Sequence, residues 1–327
     1  MVPGSIPRII LSSTIKSTSL FKANKNHNKL FTTIKLILFI GVIFLLYKQL
    51  SDVDPKQWSE LSLENSISLI LAITLVVPNI WLAYLKWKVT LSAAKIESTL
   101  ESRKQSFFAG IVTGMLTPNM VGNFLGRLYY FDKSHRGTIT GLTLLSNYAQ
   151  FLISLSFGLL SIILIDEFYL VIDAKQVLFY IAIFTVIAYA IYFYIEYFLK
   201  IFWKKSISSD LVKALKNNGT YRLKILVISA FRFIIFTSQF VLMLNAFGEE
   251  INSEMMFAIW QVYLITMIAP SLILGKVGVK ESIALFILTG IGYNEFGILF
   301  SSILIWFINS LTPALYGLII CRKRQLI

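Results

Sequence analysis

The sequence predicts an all-α polytopic membrane protein with six transmembrane helices and two re-entrant helical hairpins in an inverted repeat. Three observations predict it. Hydrophobic residues fill 56% of 327 positions, only 14% are charged and mean hydropathy is +0.73, whereas a soluble domain is nearer a quarter charged. Several apolar runs reach the ~20 residues needed to cross a bilayer. Basic and acidic loops also alternate along the chain. No polar stretch is long enough for a separate soluble domain. The expected plan is a cytoplasmic basic tail, 1–30, and one membrane domain, 31–327, with halves of about 31–165 and 176–320.

The tail carries Arg8, Lys16, Lys22, Lys25 and Lys29 and no acid. No small-residue cleavage site follows the next apolar run, which reads as a retained first span, Phe31 to Leu50, rather than a cleaved signal. An acidic loop precedes a second span, about Ile67 to Leu85, which contains Pro78 and ends in Lys86 and Lys88. Phe107 to Phe131 is split by Thr117-Pro118-Asn119. Helices seldom run through a proline preceded by a β-branched residue, so two half-length pieces predict a re-entrant hairpin.

Thr138 to Ile165 is the third span and Gln176 to Trp203 the fourth, with Glu196, Lys35 and Lys48 reading as span-end residues. The fifth runs from about Ile225 to Phe247 and contains Arg232. A second broken stretch follows, Met255 to Leu274 and Val277 to Ile291, and then a last span to Ile320.

Charge orders these pieces. The tail, the loops around 86–106, 127–136 and 200–224, and the C-terminus are net basic, whereas 51–65, 166–175, 249–254 and 292–297 are net acidic. Treating both broken stretches as hairpins places every basic segment on one side, as cytoplasmic loops require. N- and C-termini are then cytoplasmic. Each half has three spans and one hairpin, in opposite orientation, the plan of many transporters.

The net charge of +13 lies in short segments beside apolar spans, which fits anionic lipid rather than nucleic acid. With the single Cys321 and only His27 and His135, neither a disulfide framework, a histidine-built metal site nor a Ser/His/Asp triad can form inside the membrane. No GxxxxGK[ST] phosphate loop occurs, and no cofactor is implied. Paired acids or histidines on a surface loop, expected of a membrane enzyme, are not concentrated anywhere, so no catalytic residue is assigned.

The candidate binding residues sit at the two breaks. Charged groups at membrane depth are costly and suggest function. The first break offers Pro118, Gly122, Asn123, Gly126 and Arg127; the second offers Pro270, Gly275, Gly278, Lys280 and Glu281; Arg232 comes from the fifth span. A half-helix beginning after each break would present free amides to an anion such as phosphate. The glycines would let backbone approach, and Arg127, Arg232 and Lys280 would add charge-assisted hydrogen bonds. The plainer readings stand beside these. The glycines serve helix packing, and Arg127 is an interfacial anchor. Lys276 escapes to an interface, and Asn147, Gln150, Gln239 and Asn309 bond between helices. Glu281 is open to three roles: pairing with a cation, meeting a cationic headgroup, or carrying a proton.

The segments TPNMVGNFLGR, ISAFRFIIFTSQFVLMLNAFG and APSLILGKVGVKES, followed by WFINSLTPALYG, resemble the lysylphosphatidylglycerol synthase transmembrane-region family over about residues 35–320. That family includes the flippase-like half of multiple-peptide-resistance proteins. The resemblance implies a bacterial inner-membrane protein that moves an anionic or zwitterionic phospholipid, or a polyprenyl-phosphate-type carrier, between leaflets. No aminoacyl-transferase domain follows, so lysyl transfer is not expected. Asn123 stands where the family often has an acid, and Lys280 where it often has arginine. A lipid or glycosyl transferase, a non-transporting partner of such an enzyme, and a homo-oligomer remain alternatives.

Overall fold

A computed structural model describes residues 62–117, 122–165, 174–202, 209–216, 219–269 and 278–322. All of them belong to one compact unit that starts at Asp54. The expected first span, Phe31 to Leu50, and both hairpin turns, 118–121 and 270–277, lie outside the described residues. Every regular element among those described is helical. Five helices are long and apolar enough to cross a membrane, and they coincide with the second to sixth expected spans.

The first of these, 66–93, consists of α1 (Ser66–Thr74) and α2 (Val76–Ala93), separated at Leu75. Pro78 accounts for the break: it cannot donate a backbone hydrogen bond to Thr74, and its ring presses on that carbonyl. Asn65 caps α1 by accepting from the Ser68 amide at 3.1 Å. The helix continues to Ala93 instead of ending near Leu85. Trp87, Thr90 and Leu91 are buried and so extend the packed face past the two lysines.

Helices α3 (Leu100–Met115) and α4 (Gly122–Leu128) form the first helix pair. The arms are unequal, 16 and 7 residues long, rather than two similar halves. Thr99 caps α3 and Glu101 lies in its first turn, where a carboxylate favours the helix dipole, so the charged segment expected as loop is helical. Thr113 and Thr117 fasten the pair. The Thr113 hydroxyl donates to the Gly122 carbonyl at 2.6 Å, and the Gly122 amide donates to Thr117 Oγ1 at 2.6 Å. A Cβ on Gly126 would fall 2.3 Å from the Ala109 carbonyl oxygen. Gly126→Ala must therefore push the arms apart, at a cost of about 1–3 kcal/mol, read as thermal unfolding in detergent. Gly219→Ala, which meets nothing within 4 Å, serves as the unaffected comparison.

Next come α5 (Lys133–Ile165), α6 (Ala174–Phe193), α7 (Ile195–Phe202) and α8 (Ser209–Lys216). The expected fourth span is broken at Tyr194. Arg222 explains why: its guanidinium donates to the Phe193 carbonyl, to Leu215 O at 3.1 Å and to the Glu196 carboxylate. Glu196 and Arg222, read from sequence as span-end and loop charges, are 8% and 6% exposed. They form a buried ion pair that ties α7 and α8 to the start of α9.

The remaining elements are α9 (Gly219–Ala246), α10 (Ser253–Ile268), α11 (Val279–Gly290), α12 (Glu295–Trp306), a π-helical turn (Phe307–Leu311) and α13 (Thr312–Arg322). Pro313 follows the π turn closely; without a donor there, the helix widens and the Thr312 amide reaches back to Phe307 O. The helix α9 packs along α1, α2, α5 and α12, and α5 packs on α10, α6 and α2. Their shared core contains Leu142, Leu152, Phe233 and Leu264. The α3–α4 pair rests on α13 and α5, whereas α10 and α11 pack with each other, α10 also on α5 and α11 on α12.

Candidate functional site

Lys86, Arg127 and Arg232 are brought together around one face of α2. Asn79 and Lys86 are about two turns apart on that helix and so share a side. Arg232 Nε donates to Asn79 Oδ1 at 3.0 Å, marking one end of the group. Lys86 is 6% exposed and its ammonium donates to the Ser146 carbonyl at 3.0 Å. The Arg127 guanidinium lies over Trp87, 4.6 Å from the ring, with Phe107 at 5.8 Å. Asn79, which holds Arg232, and Trp87, which carries Arg127, flank Lys86 along α2, so the three cations line one stretch of that helix.

No carboxylate neutralises this group among the described residues. The buried acids are Glu196 and Glu281. Glu196 is paired with Arg222, and Glu281 lies beside Lys280. The two turn sequences, PNMV at 118–121 and PSLILGKV at 270–277, contain no acid. Two further polar atoms beside the group, Arg127 Nε and Asn123 Oδ1, are buried without a hydrogen-bond partner among the described residues. Both face Gly110, where an added Cβ would approach them to 2.6 Å and 2.9 Å. The site is thus cationic, rich in unused hydrogen-bonding capacity and bordered by aromatic rings.

A neutral chain of amides extends from Arg232. Asn79 Nδ2 donates to Asn309 Oδ1 at 2.6 Å, Asn309 Nδ2 to Gln239 Oε1 at 3.1 Å, and Gln239 Nε2 to the Ala72 carbonyl at 2.9 Å. Asn309 lies in the π turn and Asn79 just past Pro78, so both helix irregularities converge on this chain. Buried amides require such partners, since an unpaired one costs about 1–3 kcal/mol. Gln239, Asn309 and Gln150, which donates to Ser229 O at 3.3 Å, make the expected interhelical bonds. Asn147 does not belong with them; it is exposed.

Lys280 and Glu281 form a second polar group. Glu281 is 1% exposed. Its carboxylate accepts from the Gly278 amide at 2.7 Å and from Ser302 Oγ at 3.3 Å, and lies 3.9 Å from the Lys280 ammonium. Lys280 donates to Ser302 O at 3.0 Å and rests 5.6 Å from the Phe240 ring centre. These neighbouring side chains share Ser302 even though adjacent helix positions diverge by about 100°. Gly278 has φ +85, a backbone that favours glycine.

Of the residues read from sequence, Asn123, Arg127 and Arg232 join the cationic group. Gly122 and Gly126 pack against α3, whose backbone a Cβ at either would strike. Gly278, Lys280 and Glu281 form the separate group on α11. Pro118, Pro270, Gly275 and Lys276 lie outside the described residues. The expected free amides are reduced in number: Gly122 N–H is taken by Thr117 and Gly278 N–H by Glu281. Sequence reading missed Lys86 and Asn79. The signal for Lys86 was the apolar Trp87, Val89 and Leu91 beyond it, with no helix breaker before Lys95.

No protein-family model, no curated protein and no solved structure matches this chain.

Proposed function

We propose that this protein moves a phosphate-bearing membrane lipid, or a lipid-linked carrier, between leaflets. The observation that carries this reading is the group of Lys86, Arg127 and Arg232 on membrane-length or hairpin helices without a neutralising carboxylate among the described residues. Each cation at such depth costs about 3 kcal/mol on insertion scales. An anion that enters with its own apolar tail offsets that cost, because a lipid headgroup needs no aqueous path through the protein. The sequence resemblance to a flippase-like membrane region supports the same reading.

In this account 107–131 and 255–291 dip in from opposite leaflets, a sixth span precedes Asp54, and the two halves form an inverted repeat. Both termini lie in the cytoplasm of a bacterium whose inner membrane holds the protein. The Lys280–Glu281 group steadies the second hairpin and the cationic group receives the headgroup. Reconstituted vesicles carrying headgroup-labelled phosphatidylglycerol or a labelled polyprenyl phosphate should exchange label between leaflets faster than protein-free vesicles. For either lipid, a rate no faster than in protein-free vesicles counts against that substrate, and no acceleration of both would contradict the proposal.

A further inference from the structure

We infer that the headgroup held by Lys86, Arg127 and Arg232 is a polyanion, a lipid phosphomonoester or diphosphate, rather than a phosphodiester or zwitterion. This inference rests on the lipid-binding reading and adds the charge of the ligand. Charge matching is its basis. Lys86 and Arg232 make their hydrogen bonds to neutral oxygens, Ser146 O and Asn79 Oδ1, and Arg127 leans on an indole face with its Nε without a partner among the described residues. Both buried carboxylates are occupied elsewhere. A phosphodiester brings one negative charge and a zwitterionic lipid brings none in sum. A phosphomonoester carries about −1.5 to −2 at neutral pH, and a diphosphate more, which matches a group of three cations more closely.

Geometry agrees with charge. Arg127 and Arg232 each present a planar donor fork suited to two phosphate oxygens. Lys86 adds a point charge on the stretch of α2 that Asn79 with Arg232 and Trp87 with Arg127 bound. A phosphodiester has two of its oxygens bonded to carbon and only two free to accept charge-assisted bonds. A terminal phosphate offers three, and a diphosphate spans a longer stretch still. Lys86 is then the specificity-determining residue, since its removal leaves just the two forks that a diester can satisfy.

The test is equilibrium binding to purified full-length protein in uncharged detergent. The probes are dodecyl phosphate, farnesyl diphosphate, dihexanoyl phosphatidylglycerol, dihexanoyl phosphatidylcholine and inorganic diphosphate. The native protein should bind the first two roughly tenfold or more tightly than the phosphodiester. Lys86→Gln should shrink that ratio several-fold while changing diester binding little, and Lys86→Arg should restore it. Equal affinity for monoester and diester, or a ratio unmoved in Lys86→Gln, overturns the inference and leaves lipid binding standing. Binding of no lipid probe overturns the proposed function as well. Inorganic diphosphate binding as tightly as farnesyl diphosphate would assign the site to a soluble anion and overturn the lipid source. If Lys86→Gln fails to fold, the native ratio alone decides.

Discussion

Arg232→Gln is expected to slow lipid translocation in reconstituted vesicles roughly 10- to 100-fold, the range set by losing a charged hydrogen bond of about 1.5–3 kcal/mol. Glutamine keeps a neutral donor for Asn79 Oδ1, which Arg232 Nε bonds at 3.0 Å, so the amide chain to Asn309 and Gln239 stays satisfied. The same change removes one of three cations that no carboxylate neutralises among the described residues. The lipid-free protein should therefore unfold at the native temperature or slightly above it. A structural arginine would behave in the opposite way, with heat stability falling and translocation following in proportion. Arg232→Gln with native transport would remove Arg232 from the site.

Glu281→Ala is expected to destabilise the protein by about 3–5 kcal/mol, the usual consequence of leaving one member of a buried ion pair without its partner. Alanine removes the acceptor for the Gly278 amide and the Ser302 hydroxyl and strands Lys280 beside Phe240. Glu281→Gln retains the acceptor oxygen and should fall between native and alanine variants. Lys280→Met with Glu281→Gln should recover much of the loss, because no buried charge then remains at that position. Thermal unfolding in detergent checks the series. An alanine variant as stable as the native chain would show that Glu281 is not the cap of α11, and would return it to the candidate coupling groups.

The five apolar crossings were legible in the sequence because length and hydropathy alone define them. Gln239, Gln150 and Asn309 were legible for a related reason: an amide amid apolar residues must find a partner. Arg232, about a third of the way along its span, reads from sequence as a site residue or a member of a buried ion pair; it is half-buried and bonded to the neutral Asn79. Charges near the ends of apolar runs were not. Lys86, Glu196 and Arg222 all occupy positions where a long side chain ordinarily snorkels to the surface, and only tertiary packing reveals that they are enclosed. In Lys86 the difference is made by α2 running on to Ala93. For Glu196 and Arg222 it is made by two helices, α7 and α9, with α8 between them in sequence, a pairing that no local pattern encodes. The glycines of α4 could be read equally as ligand contacts or packing positions. Distances of 2.2–2.3 Å from a built Cβ to Thr113 O and Ala109 O give them a packing role that spacing alone could not.

The grouping also changes what the two breaks contribute. From sequence they looked like one site assembled from two half-helix ends. The described residues instead put Arg127 with Lys86 and Arg232, and put Lys280 with Glu281 against Ser302. Charge is unbalanced in the first group and balanced in the second. On the proposed reading the headgroup belongs with the imbalance, since an ion pair already satisfied gains little from another anion.

Native mass spectrometry of the full-length protein, released gently from its own membrane, measures the central claim most directly. The native chain should carry a phosphate-bearing lipid that collisional activation removes. The Arg127→Gln/Arg232→Gln double variant, extracted identically, should carry it at a small fraction of that occupancy. Identical lipid adducts on both proteins would contradict the claim that these cations hold the headgroup.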